Sequence, residues 1–474
     1  VFLKDFLTYD ELVKISALNL PGIHVEEGFR RSYDAPFVFA HVLGYTGLVT
    51  AEDVEKYNLS NTDEIGKAGL EKFYDNYLRG KNGREVYFRD SLGVVKDKKI
   101  ADLPIQGNRL ETFVDKEFQE YFYNRLQEGL TALNRKVGVG IAMNPKNGEV
   151  LALFGVPGFD SREIAKYLDD KNRIFFTRAI SGLYNPASTI KPLMATAALT
   201  EGIIMPDKKI YSAGYIEIPN PYNPANPSIF HDWKAHGWVD ASAALARSSN
   251  VYFYAIGGGF REQVGLGIKR INKWWSDFYL DKITGIDLPG EESGFLPNPE
   301  WKKEKSGRNW LLGDTYNVSI GQGDFLVTPI ELLNYINAIG NNGFFYRPRV
   351  MDKIVDVDGK IIKENEIRVI HRLSDKALPF LDNVRAGMRD AVLKDYGTAY
   401  LLHDIPMEIY AKTGSAQIEN KKKTNAFFIG YTDELSVLIL VEDAREGSLN
   451  TIPIARDVFL WYYKNRIKSD VSPF

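Results

Sequence analysis

Cysteine is absent from all 474 residues of the chain. Disulfide bonds and thiolate metal ligands are therefore excluded, and the redox compartment of the protein stays undetermined. The sequence also lacks any run of about 18 apolar residues, which predicts that no part of it spans a bilayer. Charge of neither sign predominates. The formal net charge is −3, which gives no electrostatic reason to expect nucleic acid as a partner.

The chain is long, and 44% of its residues are hydrophobic, as in a globular protein. A chain this long exceeds one ordinary core, so two or more domains are expected. Residues 1–108 combine strand-like runs with charged, turn-rich segments and carry no nucleophile beside a base. Pro104 and Gly107 interrupt this pattern at its end. We therefore predict a non-catalytic platform over residues 1–108 and a second domain over residues 109–474.

The second domain is predicted to have an α+β fold. A hairpin with an Asn147-Gly148 turn comes first, because this dipeptide supplies the positive φ that the turn requires. Helical segments, further strands and a closing helix follow, which is the order of an α+β sandwich. The predicted helices cover residues 115–134, 188–198, 241–256, 329–339 and 454–463, and the predicted strands cover residues 137–143, 149–154, 409–415, 426–431 and 435–442.

Three short motifs carry the chemistry of the sequence: Ser188-Thr189-Ile190-Lys191, Ser248-Ser249-Asn250 and Lys412-Thr413-Gly414-Ser415. The first places a lysine one helical turn after a serine. Alone it is weak evidence, since Ser-x-x-Lys should occur about twice by chance in such a chain. The first two motifs also have a purely structural interpretation: a helix cap with an exposed lysine for the first, and a helix cap or turn for the second. Their order and spacing together favour a catalytic site.

The first motif makes chemical sense as a nucleophile with its own base. A serine hydroxyl is a poor nucleophile until a base removes its proton. Lys191 lies on the same helical face as Ser188, but it must be neutral to act as that base. Neutrality requires burial and a nearby positive charge. Lys412 is the predicted source of that charge.

The three motifs in this order resemble those of penicillin-binding proteins and serine β-lactamases. Further segments resemble the monofunctional, class B penicillin-binding proteins, and within that class the similarity is strongest to penicillin-binding protein 2, the transpeptidase of cell elongation. These segments lie at residues 284–291, 319–323 and 397–399 between the motifs, and at residues 41–47 and 69–80 in the N-terminal part.

The resemblance implies an architecture and an activity. The architecture is a non-catalytic N-terminal pedestal followed by a penicillin-binding domain, in which an antiparallel sheet carries helices on both faces. The activity is that of a peptidoglycan D,D-transpeptidase, which cross-links stem peptides through a Ser188 acyl-enzyme and is inhibited when β-lactams acylate that serine. No cofactor is expected.

The resemblance also implies partners and a location. The expected partners are peptidoglycan stem peptides, a RodA-type membrane glycosyltransferase and other proteins of the elongation complex. A single membrane anchor is expected N-terminal to Val1, with this chain on the extracytoplasmic, periplasmic side. The alternative is a mature secreted protein cut by a signal peptidase.

In such a site, Ser248 would bridge Lys191 and Lys412 and pass the proton to the leaving amine. Asn250 would hold the amide backbone of the substrate. The oxyanion hole would consist of the backbone N–H groups of Ser188 and Ser415.

The third motif is expected on the edge strand that lines the opposite wall of the cleft. This strand would pair with the extended peptide substrate by β-augmentation. Gly414 would let the substrate backbone lie close. The Thr413 and Ser415 hydroxyls, helped by Lys412, would bind the terminal carboxylate of a D-alanyl-D-alanine peptide.

A metal site is not expected. His231, Asp232, His236 and Asp240 cluster within ten residues, and some relatives of penicillin-binding protein 2 carry zinc in this region. That zinc pattern uses a cysteine, which the chain lacks, and Gly237 argues against the continuous helix that His-x4-His would need. We predict a polar surface loop there.

Three alternative functions remain open at this stage. The septal class B transpeptidase is nearest. A β-lactamase or D,D-carboxypeptidase would pass the acyl group to water, but such a hydrolase needs no pedestal, and we find no deacylating Glu motif between the first two motifs. A β-lactam sensor or inactive scaffold is the third, and the intact Ser188, Lys191 and Lys412 argue against a scaffold.

Overall fold

The computed structural model describes residues 7–18, 20, 22–23, 25, 31–219, 223, 225–418 and 423–468. The chain divides into two compact units, Val1–Asp34 and Ala35–Phe474. The first contains one described helix, α1 (Tyr9–Leu18), which has no buried residue. Nearly all of the secondary structure in the described residues therefore belongs to the second unit.

The described strands, in chain order, are β1 (Thr46–Leu48), β2 (Glu64–Gly66), β3 (Arg84–Arg89), β4 (Val95–Asp102), β5 (Arg109–Thr112), β6 (Gly138–Met143), β7 (Val150–Val156), β8 (Ile210–Ser212), β9 (Tyr215–Ile218), β10 (Ser228–His231), β11 (Gly237–Val239), β12 (Phe344–Tyr346), β13 (Met351–Val355), β14 (Ile361–Glu364), β15 (Val369–Arg372), β16 (Tyr410–Ile418), β17 (Lys423–Tyr431) and β18 (Ser436–Ala444).

The described α-helices after α1 are α2 (Pro36–Leu43), α3 (Ala51–Tyr57), α4 (Gly69–Phe73), α5 (Asp75–Leu78), α6 (Lys116–Ala132), α7 (Arg178–Ser181), α8 (Lys191–Thr200), α9 (Ala241–Ala246), α10 (Asn250–Gly258), α11 (Gly267–Asp277), α12 (Pro299–Ser306), α13 (Leu312–Ser319), α14 (Pro329–Gly340), α15 (Leu378–Leu393) and α16 (Gly447–Tyr462). No helix among the described residues is long and apolar enough to cross a membrane.

A five-stranded antiparallel sheet forms the centre of the large unit, in the order β16-β17-β18-β6-β7. Side chains alternate between the two faces of a strand, and here both faces are buried. Phe427 and Ile429 of β17 pack into one apolar core, whereas Ala426 and Phe428 pack into the other. This double burial explains why the strand sequences are continuously apolar.

Helices cover both faces of the sheet. One core takes apolar residues from α8, α9, α10, α14 and α15, including the fully buried Met194 and Tyr335. The other takes residues from α6 and α16, where Phe118 stacks on Trp461 with ring centroids 5.5 Å apart. Full burial of such side chains stabilises the fold by about 1.5–3 kcal/mol each. The predicted α+β architecture, with helices on both faces of an antiparallel sheet, is confirmed.

One predicted helix is wrong. The apolar segment 241–256 reads as continuous, but α9 ends at Ala246 and α10 begins at Asn250. Ser248 between them has a φ of 56°, in the left-handed region that a helix interior excludes. The Ser249 hydroxyl accepts the backbone N–H of Tyr252 and caps α10. The interruption turns the second motif toward the cleft.

The segments before and after residue 108 are in direct contact. The Tyr74 hydroxyl donates to Asp287 Oδ2 over 2.8 Å, and the same carboxylate accepts the backbone N–H groups of Val350 and Met351. Strand β5, just after residue 108, pairs with β13. The boundary at residues 108/109 stays a prediction.

Candidate active site

Ser188 lies in a 3₁₀ turn, Ala187–Ile190, which leads directly into α8. Neighbouring segments hold this turn: the Asn185 amide donates to the carbonyl oxygens of Gly323 and Phe325 at 2.8 and 2.7 Å. Ser188 is half-buried and lines the cleft, whereas Lys191 is fully buried. The turn therefore leaves Ser188 partly accessible to solvent, whereas the Lys191 side chain at the start of α8 is shielded from solvent.

The two lysines are joined through Ser248. Lys191 Nζ lies 2.8 Å from the Ser248 carbonyl oxygen, 2.7 Å from Asn250 Oδ1 and 3.3 Å from Ser248 Oγ. Lys412 Nζ donates to Ser248 Oγ over 2.8 Å and to the Thr413 carbonyl over 2.9 Å. A neutral amine has two N–H donors and one lone pair. Lys191 can thus donate to Ser248 O and Asn250 Oδ1 and keep its lone pair for a hydroxyl proton.

Burial lowers the pKa of both lysines. It brings the pKa of Lys191 to about 7, against an opposing contribution from the Asp232 carboxylate. The pKa of Lys412 is held well below its usual value by burial and by the positive charge of Lys191. The lowered pKa of Lys191 agrees with the predicted neutral base, but its cause is burial and not the predicted charge of Lys412. The charge of Lys191 instead lowers the pKa of Lys412.

Asp232 organises the second motif. Its Oδ2 accepts the Ser249 hydroxyl over 2.8 Å and the Val251 N–H over 3.0 Å. Burial alone would raise the pKa of Asp232, but His236, the Lys191 charge and the N–H groups of the second motif outweigh it and lower that pKa. From the sequence, Asp232 is predicted only as a weak metal candidate. Its interactions with Ser249 and Lys191 could not be predicted from neighbouring residues, because they arise where a loop packs on α10.

The four metal candidates do not converge. Asp232 Oδ1 and His236 Nε2 are 3.6 Å apart, but Asp240 accepts the Ala243 N–H as the cap of α9. His231 ends β10, and its carbonyl accepts the Asn250 amide over 3.3 Å. Within the described residues, no three histidine or carboxylate side chains form a group that could hold a metal. The side chains of His236 and Asp232 are both fully buried, so the predicted polar surface loop is wrong at these two positions.

The third motif lies on β16, the edge strand of the central sheet. A Cβ atom on Gly414 would come within 2.9 Å of Thr189 Cγ2 and 3.2 Å of the Pro186 carbonyl. The missing side chain therefore lets β16 lie against the Ser188 turn. The predicted reason, a close approach of the substrate backbone, stays a prediction.

Ser415 is oriented by two contacts. Its carbonyl accepts the Gln322 amide over 3.2 Å, and its hydroxyl oxygen accepts the Gly447 N–H over 2.9 Å. Gln322 and Ser415 both line the cleft, so the Ser415 backbone faces it. Gln322 was not singled out as a functional residue, although it lies in the segment 319–323 that resembles class B proteins.

The three motifs meet in one open cleft of about 990 Å³. Ser188 and Ser248 lie on one wall, and Thr413, Gly414 and Ser415 lie on the other. One helical turn after the half-buried serine lies a buried amine whose pKa is lowered by burial, which suits proton removal from a hydroxyl. This combination defines a serine enzyme of the acyl-transfer class.

Comparison with known proteins identifies the family. The penicillin-binding protein transpeptidase domain matches residues 138–460, and the penicillin-binding protein dimerisation domain matches residues 1–112. The chain belongs to the penicillin-binding protein transpeptidase family, and it is a serine-type transpeptidase. The predicted membership is therefore confirmed.

Individual relatives agree over nearly the whole chain. The chain is 30% identical to the peptidoglycan D,D-transpeptidase MrdA of Salmonella typhimurium, covering 97% of this chain and 77% of the relative. It is 29% identical to MrdA of Haemophilus influenzae, covering 98% and 75%. Among solved structures, penicillin-binding protein 2 of Helicobacter pylori in complex with MreC matches with a TM-score of 0.80 and 25% identity, covering 98% of this chain and 84% of that chain.

Proposed function

We propose that the protein cross-links peptidoglycan as the D,D-transpeptidase of cell elongation, with Ser188 as its nucleophile. The observation that carries this proposal is the pair of buried lysines joined through Ser248, one helical turn from a half-exposed serine. The similarity to MrdA proteins over nearly the full chain supports the peptidoglycan substrate and the elongation role.

The acylation step begins with proton removal. Neutral Lys191 takes the Ser188 proton, and the serine oxygen attacks the carbonyl of the penultimate D-alanine. The oxyanion accepts the backbone N–H groups of Ser188 and Ser415. The first N–H groups of a helical turn lack intrahelical partners, which leaves the Ser188 donor available. One donor of this kind contributes about 3 kcal/mol to transition-state stabilisation.

The leaving group needs a proton, and Ser248 is positioned to relay it. Once Lys191 has taken the Ser188 proton, it can donate that proton to Ser248 Oγ 3.3 Å away, while Ser248 gives its own hydroxyl proton to the leaving amine. Lys412 also donates to Ser248 Oγ, over 2.8 Å. The proton reaches the amine of the departing D-alanine as the C–N bond breaks, and the Ser188 ester remains. An amine of a second peptide then attacks that ester. The C–O bond to Ser188 breaks, a proton from the amine returns to the serine oxygen, and the new amide bond is the cross-link.

Partners follow from the same proposal. The H. pylori relative forms a complex with MreC, which supports assembly of this chain with elongation-complex proteins. A RodA-type glycosyltransferase is the proposed membrane partner. A membrane anchor preceding this segment would hold it on the periplasmic side.

The test of the proposed activity is a transfer assay with a D-alanyl-D-alanine pentapeptide donor and an amine acceptor. Release of D-alanine should accompany formation of the donor–acceptor amide, detected by mass spectrometry. Donor hydrolysis without transfer would instead indicate a carboxypeptidase. A penicillin adduct that clears within minutes would indicate a β-lactamase, whereas the proposal requires persistence for hours.

A second prediction concerns the binding of the substrate carboxylate by the Thr413 hydroxyl. Thr413→Val removes the hydroxyl while keeping the branched shape on a buried strand, so the fold should be retained. The second-order rate constant of acylation should fall about 10-fold, because one hydrogen bond to a carboxylate is lost. Stopped-flow acylation by penicillin measures this rate. Thr413→Ser, which keeps the hydroxyl, is the matched control and should stay near the unmodified rate. Unchanged kinetics in Thr413→Val would contradict the assignment.

A further inference from the structure

The proposed acylation chemistry sets the direction in which a donor peptide runs through the cleft. The terminal carboxylate lies near Thr413, and the reacting carbonyl lies between Ser188 and Ser415. The rest of the donor must therefore extend past Ser415 toward Gln417 and Ile418, antiparallel to β16. A peptide paired with an edge strand advances about 3.4 Å per residue. One or two residues before the acylated D-alanine, the donor lies beside Gln417.

The far end of the cleft is built from three adjacent strands. Gln417 pairs with Thr424, and Thr424 pairs with Ala444. Arg445 follows Ala444 directly at the end of β18. Gln417, Thr424 and Arg445 all line the cleft.

The same face of β16 carries Ser415 and Gln417, because side chains two residues apart share a face. On this face the Ser415 hydroxyl oxygen accepts the Gly447 N–H over 2.9 Å. That contact brings the segment before α16, which contains Arg445, beside the path of the donor.

Arg445 has a fixed backbone and an available guanidinium. Asn450, itself buried, accepts the N–H groups of Arg445 and Glu446, each over 2.9 Å. Among the residues that the structure describes, no side chain forms an ion pair or hydrogen bond with the Arg445 guanidinium. The neighbouring Glu446 carboxylate instead accepts the Ser448 hydroxyl over 2.7 Å.

We infer that Arg445 is a specificity residue of the donor subsite, which binds a carboxylate on the stem peptide just before the D-alanyl-D-alanine end. A guanidinium offers a planar pair of N–H donors that matches a carboxylate. Two carboxylates of a stem peptide share this chemistry: the side-chain carboxylate of a diamino diacid as third residue, and the α-carboxylate of a γ-linked D-glutamate as second residue. The inference rests on the proposed function, since it uses the direction of the donor.

The test compares acylation of Ser188 by three pentapeptides that end in D-alanyl-D-alanine. One carries both carboxylates, one is amidated at the third residue and one is amidated at the second. Intact-mass spectrometry gives kcat/KM for acylation of the complete chain. We expect the diacid to react ~10-fold faster than the amide that removes the recognised carboxylate, a modest factor because the site is open to solvent. The amidated peptide that reacts more slowly than the diacid identifies which carboxylate is bound.

Arg445→Gln should abolish this preference and leave acylation by penicillin within twofold, because penicillin lacks the peptide that reaches Gln417. Glu446→Gln, which removes a neighbouring negative charge, should increase the preference. Equal rates for all three peptides with the unmodified protein would overturn the inference, as would a preference that survives in Arg445→Gln. If penicillin does not acylate the unmodified protein, the proposed function itself fails. If penicillin acylates the unmodified protein but the three peptides react at equal rates, only the subsite is overturned.

Discussion

Replacing Ser188 with alanine should abolish covalent labelling by penicillin and stop donor acylation, with a loss of at least ~10⁴-fold. The reason is that no other atom can form the ester intermediate, so the remaining catalysis comes only from binding and the oxyanion donors. Intact-mass spectrometry after incubation with a labelled penicillin measures the result. The fold should be unchanged, because Ser188 is half-buried at the rim of the cleft and only a hydroxyl is removed.

The control for this prediction is another serine of the same cleft. Ser448 lines the cleft but lies on α16, away from the lysines. Ser448→Ala should keep the label at its full extent. A label that persists in Ser188→Ala, or that maps to a peptide without Ser188, would refute the nucleophile assignment.

Replacing Lys191 with methionine should slow acylation by about 10³-fold, within the range of effects that a general base produces. Methionine fills a similar volume and removes only the amine, and Lys191 is fully buried at the start of α8. The protein should therefore remain folded, since an apolar group replaces a buried amine that is costly to protonate. Stopped-flow acylation by penicillin measures the rate, and circular dichroism tests whether the variant remains folded.

The pH profile distinguishes the proposed base from a merely structural lysine. With the pKa of Lys191 at about 7, its neutral form grows as pH rises through 7. Acylation by the unmodified protein should increase with pH, about tenfold per unit well below pH 7, and level off above it. This increase should be lost in Lys191→Met. The exposed Lys303→Met is the matched control and should keep both rate and profile. A flat profile in the unmodified protein between pH 5.5 and 8.5 would contradict a Lys191 base.

Much of the fold was predictable because its signal is local. Continuous apolar strands, an Asn147-Gly148 turn and helical spacing in segments such as 115–134 each depend on neighbouring residues. The structure bears this out with β6, β7 and α6. The break between α9 and α10 was not predictable, because an apolar segment resembles a continuous helix. Asp232, on a separate loop, accepts the Ser249 hydroxyl and the Val251 N–H and so stabilises the start of α10.

The sequence by itself determined the family, the α+β class and the residues of the three motifs, since these depend on residue types and their order. The tertiary structure decided what surrounds those residues. It buries Lys191 and Lys412, joins them through Ser248 and places Asp232 near enough to moderate the pKa of Lys191. It also gives Gly414 a packing role against the Ser188 turn and leaves Arg445 at the far end of the cleft. A pKa and a hydrogen bond depend on distances between atoms, and these atoms belong to segments up to about 220 residues apart that only folding brings together.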